Sequence, residues 1–237
     1  MIPVRAAVVP VLFFLISCST PPVLHLEEQQ VRTLLAELCK DVTVPVAFKG
    51  SGSVLFVTNG EKQSGSFDER YKSVSSMAAT FYSPMGTIIG SISAHGDSGV
   101  VMLPEHSFQL PLASPLDSLK LAWVSNITLG ALITALCGKV AHQFNPDSLV
   151  EKPQPARHRR EFTGENKTIG YAVISSNDLK KLKRIVVTVG TKVPSEKKIS
   201  IVYESFFSGI ARYITIKVDD RNYFSLRYDN VQMVRQE

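Results

Sequence analysis

From Val44 onward apolar side chains recur at every second position in short runs, and turn-forming residues break the runs at close intervals. A period of two places side chains on alternate faces of an extended backbone, so this part of the chain must build a sheet. Ser53 to Thr58 reads as a strand, Asn59-Gly60 as a tight hairpin turn, and Ser64 to Tyr71 as the returning strand. Val74 to Tyr82, Thr87 to Ala94 and Val100 to Leu103 follow, separated by Ser83-Pro84-Met85-Gly86 and by His95-Gly96-Asp97. Farther on come Thr168 to Ser175, Arg184 to Thr191, Ile199 to Phe206, Arg212 to Val218 and Tyr223 to Tyr228, the last two joined by Asp219-Asp220-Arg221-Asn222. Strands joined by short turns pair antiparallel, and a sheet of about nine or more strands tends to curl.

Two interruptions carry a helical period. In Glu27 to Lys40, Val31, Leu34, Leu35 and Leu38 share one face, with acidic residues at the start and Lys40 at the end, as the helix dipole favours. Pro115 to Trp123 and Leu129 to Cys137 read as two shorter helices, the second capped by Thr128 and stopped at Gly138. Asn145 to Gly164 is polar, contains Pro146, Pro153 and Pro155, and reads as a long loop. Helices laid on the concave side of a curled sheet would leave an apolar space beneath them. No internal repeat and no second domain is apparent, so residues 27–237 read as one mainly β domain with helices.

The first 17 residues have a different character. One basic residue, Arg5, precedes an apolar run from Ala6 to Ile16, the layout of a signal peptide. At about 11 residues the run is short for a membrane span, which needs roughly 20. It ends in Leu15-Ile16-Ser17-Cys18, which resembles the bacterial lipobox. That resemblance implies lipid on Cys18 and cleavage before it, leaving residues 18–26 as a lipidated tether. Two or three acyl chains at ~0.8 kcal/mol per buried CH₂ make a firm anchor. Ser19, in place of an acidic residue, points to the outer membrane and a domain facing the periplasm.

Charge and composition narrow the function. The net charge of +5 is mild and suits proximity to anionic lipid, but no nucleic-acid module accompanies it. Gly50-Ser51-Gly52-Ser53 is neither a nucleophile elbow nor a dinucleotide loop. The five histidines are scattered without paired metal spacing, so no enzyme, metal or cofactor is expected. Cys39 and Cys137 lie in separate helices; they form a disulfide if those helices touch, or are two small buried side chains. Lys180, Lys181, Lys183 and Arg184 form one basic cluster, and Arg157, Arg159 and Arg160 another; each either meets anionic lipid or an acidic partner, or is simply solvated.

The stretch Phe81-Tyr82-Ser83-Pro84-Met85-Gly86-Thr87, the strand to His95, and Gly96-Asp97-Ser98-Gly99-Val100-Val101-Met102-Leu103 together resemble the LolB family of outer-membrane lipoprotein receptors. The helix Ile127 to Gly138 and the terminal run Tyr223 to Val231 resemble family segments in the same order, over roughly residues 47 to 234. The resemblance implies an unclosed antiparallel barrel with a helical lid. It also implies a protein that binds the acyl chains of other lipoproteins and helps insert them into the outer membrane. Its partners would be acylated lipoproteins, a periplasmic LolA-like carrier and membrane lipid, and it would act as a monomer. Strand alternation gives Val54, Phe56, Ile214, Ile216, Val218, Phe224, Leu226 and Tyr228 one shared face, which any β core needs; it is the resemblance that implies they line a cavity. Pro84, Met85 and Gly86 match the family's membrane-inserting turn, with Met85 where the family carries Leu. Met85 is either a membrane-touching finger or a side chain folded back on the sheet. A LolB-fold scaffold that carries no cargo is the alternative reading.

Overall fold

The computed structural model describes residues 27–43, 46–116, 127–140, 146–152, 159–166, 169–189 and 198–234. The leader, Cys18 and the helix expected at Pro115 to Trp123, apart from its first two residues, lie outside them. Among the described residues, helix α1 (Glu28–Thr43) precedes six strands: β1 (Phe48–Thr58), β2 (Glu61–Ser73), β3 (Ser76–Tyr82), β4 (Ile88–His95), β5 (Ser98–Leu103) and β6 (His106–Pro111). Helix α2 (Leu129–Leu136) follows. Seven strands then complete the fold: β7 (Val150–Glu151), β8 (Arg159–Asn166), β9 (Ile169–Ser176), β10 (Leu182–Val189), β11 (Ile199–Phe207), β12 (Ile210–Asp219) and β13 (Asn222–Met233).

All 13 strands form one sheet in the order β6-β5-β4-β3-β2-β1-β13-β12-β11-β10-β9-β8-β7. Every neighbour is also a neighbour in sequence except at one seam, where β1 pairs with β13. There Val54 faces Leu226 and Phe56 faces Phe224. The sheet ends at β6 and β7 without closing, so the architecture is the expected unclosed antiparallel barrel with helices. Side chains alternate as a half-buried strand requires. In β2, Phe67, Glu69 and Tyr71 are buried while Asp68 and Arg70 are exposed.

The helices cover the inner face. Thr128 caps α2, its hydroxyl accepting from the Ala131 amide at 3.2 Å, and the helix ends before Gly138 in the left-handed conformation (φ +64). Leu129, Leu132, Ile133 and Leu136 of α2 are buried, as are Val31, Leu35, Cys39 and Val42 of α1. The segment after α2 meets the end of α1, where the Val140 amide donates to the Val42 carbonyl at 3.2 Å. Cys39 and Cys137 are buried and form no disulfide with each other.

Three strands depart from the sequence reading. Residues 159–166, placed in the long loop, form β8, which pairs with the two-residue β7 from the same loop, and 106–111 form β6. Strands β6 and β8 contribute few large apolar side chains, Phe162 in β8 and Phe108 with Leu110 in β6, so the alternation is faint. The ladder supplies what side chains do not. Phe162 pairs with Val173 and Glu161 with Ile174, while Arg160 bridges to Glu151 at 3.6 Å and Lys152 to Glu161 at 3.5 Å. These strands lie at the sheet's margins, where one well-packed side is sufficient.

Candidate functional site

The eight residues expected to line a cavity come together on the inner face. Ile214 pairs with Leu226 and Ile216 with Phe224, extending the β1–β13 rows onto β12. Val54, Ile214, Ile216, Phe224, Leu226 and Tyr228 are buried, and Phe56 and Val218 are partly buried against them. Their rings interlock: Phe56 lies 5.0 Å from Phe224, and Phe67 lies 5.0 Å from Tyr228 nearly edge-on. This stretch of the inner face is a packed aromatic layer beneath α2.

A polar cluster is set into that layer. The Cys137 thiol donates to Glu69 Oε1 at 2.9 Å. The Tyr228 hydroxyl contacts Glu69 Oε2 and, at 2.7 Å, the carbonyl oxygen of Leu136 at the end of α2. The single phenol proton is shared between these two acceptors. Burial pushes the Glu69 pKa upward, against the pull of the hydrogen bonds that Cys137 and Tyr228 donate to it, and so favours its neutral form. Burial likewise raises Cys137 well above the ordinary thiol value and pushes Cys39 up to about 12, so neither is a ready nucleophile. The cluster ties the end of the lid helix to β2 and β13.

An apolar pocket opens where α1 crosses the β7–β8 margin. It encloses about 340 Å³, with Val31, Leu35, Leu149 and Phe162 as its walls and Val150 at its lip. That volume lies within the roughly 300–1,000 Å³ of small-molecule sites. Arg32 stands at the rim, paired with Glu28 at 2.8 Å. Nothing in the sequence joins α1 to β8, which lie far apart in the chain and meet only through the sheet's curl.

The β3–β4 turn carries the second feature. The Ser83 amide donates to the Thr87 carbonyl at 2.8 Å, the Gly86 amide donates to the Ser83 carbonyl at 2.9 Å, and the Ser83 hydroxyl accepts from the Thr87 amide at 3.2 Å. Gly86 takes the left-handed conformation (φ +81) that a three-residue hairpin loop requires. Met85 is thereby held at the tip with 93% of its surface exposed, and Ile88 beside it is 60% exposed. Met85 does not fold back on the sheet.

The basic clusters are dispersed. Arg184 pairs with Glu204 and Arg160 with Glu151, and Lys180 and Lys181 sit exposed at the β9–β10 turn. Arg157 lies outside the described residues. No helix among the described residues is long and apolar enough to cross a membrane.

No family model matches the chain, and no curated protein matches it in sequence. Solved structures do match in shape. A LolA superfamily protein from Nitrosomonas europaea is similar over 87% of this chain and 94% of its own, at 11% identity and a TM-score of 0.50. The fold is LolA-like. A domain described as an outer membrane lipoprotein-sorting protein, from Vibrio parahaemolyticus, covers 85% of this chain and 91% of its own at 8% identity and a TM-score of 0.50. A DUF1329 family protein from Desulfovibrio piger covers 86% and 92% at 12% identity and a TM-score of 0.51. These likenesses support the LolA/LolB fold as a whole and do not single out the LolB branch.

Proposed function

We propose that this chain is an envelope lipoprotein, held to the outer membrane through lipid on Cys18, that binds the acyl chains of other lipoproteins and helps pass them into the bilayer. The observation that carries the reading is the β3–β4 tip, where Met85 and Ile88 stand clear of the protein on a turn fixed by Ser83. A soluble turn favours polar residues there; an apolar tip suits contact with hydrocarbon. The apolar pocket under α1 supports the acyl-binding half of the reading, since each CH₂ leaving water contributes about 0.8 kcal/mol. The neighbour described as lipoprotein-sorting supports it as an analogy of fold. In this reading the chain works as a monomer that receives cargo from a LolA-like carrier without a cofactor. Transfer then runs down a gradient of affinity.

The test is a transfer assay: an acylated lipoprotein on its carrier, the lipidated full chain, and vesicles, with Met85→Glu against the native chain. Loss of delivery with retained cargo binding supports the reading. Normal delivery by Met85→Glu overturns the role of the turn. A second reading has its own support. The interlocked rings on β1, β2, β3 and β13 suit a scaffold that carries nothing. Failure of the native chain to bind an acylated peptide would select it.

A further inference from the structure

The outer face of the sheet, opposite the helices, holds a groove of about 520 Å³ across β13, β1, β2 and β3. Two adjacent rungs of the ladder make it. One runs Gln232, Lys49, Arg70, Ala78 and the next runs Asn230, Ser51, Asp68, Thr80. Alternation puts these side chains outward, because their neighbours Phe48, Glu69 and Ala79 are buried inside and Val231 packs against the core; the register shift between Ser51 and Gly52 turns Asn230 and Gln232 outward although Tyr228 lies inside. Small residues at Ser51, Ala78 and Thr80 form the floor, and half-buried Tyr82 closes one end.

The charges in this groove are unusual. Lys49 and Arg70 stand directly opposite each other on paired strands, an arrangement that destabilises a sheet when nothing offsets it. Among the described residues neither cation makes an ion pair with a carboxylate. Asp68 lies one rung away, diagonal to Lys49, so the three groups together carry one net positive charge. We propose that the groove is a binding site for a small ligand bearing one monovalent oxyanion beside hydroxyl groups. The oxyanion lies between Lys49 and Arg70, whose forked guanidinium suits two oxygens. Asp68 accepts from a ligand hydroxyl and disfavours a dianion. The Asn230 and Gln232 amides and the Ser51 and Thr80 hydroxyls complete the polar contacts. A carboxylated sugar and the glycerol phosphodiester of a lipid headgroup share this chemistry. The site lies on the face away from α1 and α2 and does not rest on acyl binding.

The experiment titrates the full chain with glucuronate, with glycerophosphoglycerol, and with glucose as the uncharged control, following backbone amide shifts of β1–β3 and β13. One of the two anions is expected to bind while glucose does not. Glucuronate alone assigns the site to an acidic saccharide, and glycerophosphoglycerol alone, with binding to phosphatidylglycerol vesicles, assigns it to a headgroup. Lys49→Gln with Arg70→Gln is expected to weaken that binding at least tenfold without lowering the melting temperature, since both side chains are exposed. Added salt is expected to weaken it as well. Failure of both anions to bind more tightly than about 1 mM, or binding that the double variant leaves intact, overturns the proposal.

Discussion

Gly50 lies beneath the ring of Tyr228: a Cβ at Gly50 would sit 2.5 Å from Cε1 of that ring. The bare backbone lets the tyrosine of β13 lie across β1 and reach Glu69 on β2. Gly50→Ala is therefore expected to lower stability by about 1–3 kcal/mol, as overpacking does. Urea unfolding measures it. An unchanged midpoint would mean that the ring can move aside and that the Tyr228–Glu69 contact is not held by this close fit.

Glu69 should make stability depend on pH in a definite direction. Its folded pKa is raised, so the native state holds the proton that the unfolded chain releases. The contribution is complete below the unfolded value of about 4.3 and is lost as pH rises toward the folded one. Glu69→Gln keeps a donor and an acceptor without the charge. The stability of the native chain relative to Glu69→Gln is expected to fall as pH rises above about 4.3. Equilibrium unfolding of both at several pH values tests this, and a constant difference would mean that Glu69 does not titrate between the two states.

Tyr228→Phe removes the hydroxyl shared by Glu69 and the Leu136 carbonyl. A buried acceptor left without its donor costs about 1–3 kcal/mol. Amide exchange in α2 is expected to quicken more than exchange in β10 or β11, which lie away from the contact. Uniform acceleration across the fold would show that the hydroxyl supports the sheet generally and does not fasten α2.

The pocket under α1 can be filled from its own wall. Val31→Phe extends a ring into the space bounded by Leu35, Leu149 and Phe162. Acylated-peptide affinity is expected to drop roughly tenfold, about 1.4 kcal/mol, with the fold retained. Titration by fluorescence anisotropy with circular dichroism as control measures both, and unchanged affinity would move acyl binding elsewhere on the inner face.

At the β3–β4 tip, Met85→Leu should preserve vesicle contact, whereas Met85→Glu removes an apolar contribution of about 1.5–3 kcal/mol. Partitioning of the non-lipidated chain onto vesicles is expected to fall at least tenfold for Glu alone. Equal partitioning of both variants would show that the tip does not touch lipid.

Much of the architecture was legible because it is carried by local signals. Asn59-Gly60 fixed one hairpin, Thr128 and Gly138 bounded α2, and alternation marked the strands flanking the seam. Strands β6, β7 and β8 were missed because a marginal strand can be held by its ladder alone. Met85 was legible as an apolar residue in a turn, although its direction needed the backbone geometry of Ser83 and Gly86. Glu69 had a signal that went unread: it falls between Phe67 and Tyr71 on the apolar side of its strand, where a carboxyl must find partners. The α1 pocket had none, since Val31 and Phe162 are brought together by curvature rather than by spacing.

The β1–β13 seam has a temporal consequence. Phe48 pairs with Met233 across it, so β1 waits until β13 has been synthesised. Until then both flanks expose unpaired backbone and a greasy surface, and loop-closure entropy makes their union slow. A nascent chain delivered in pieces would therefore depend on protection from aggregation until residue 233 has emerged.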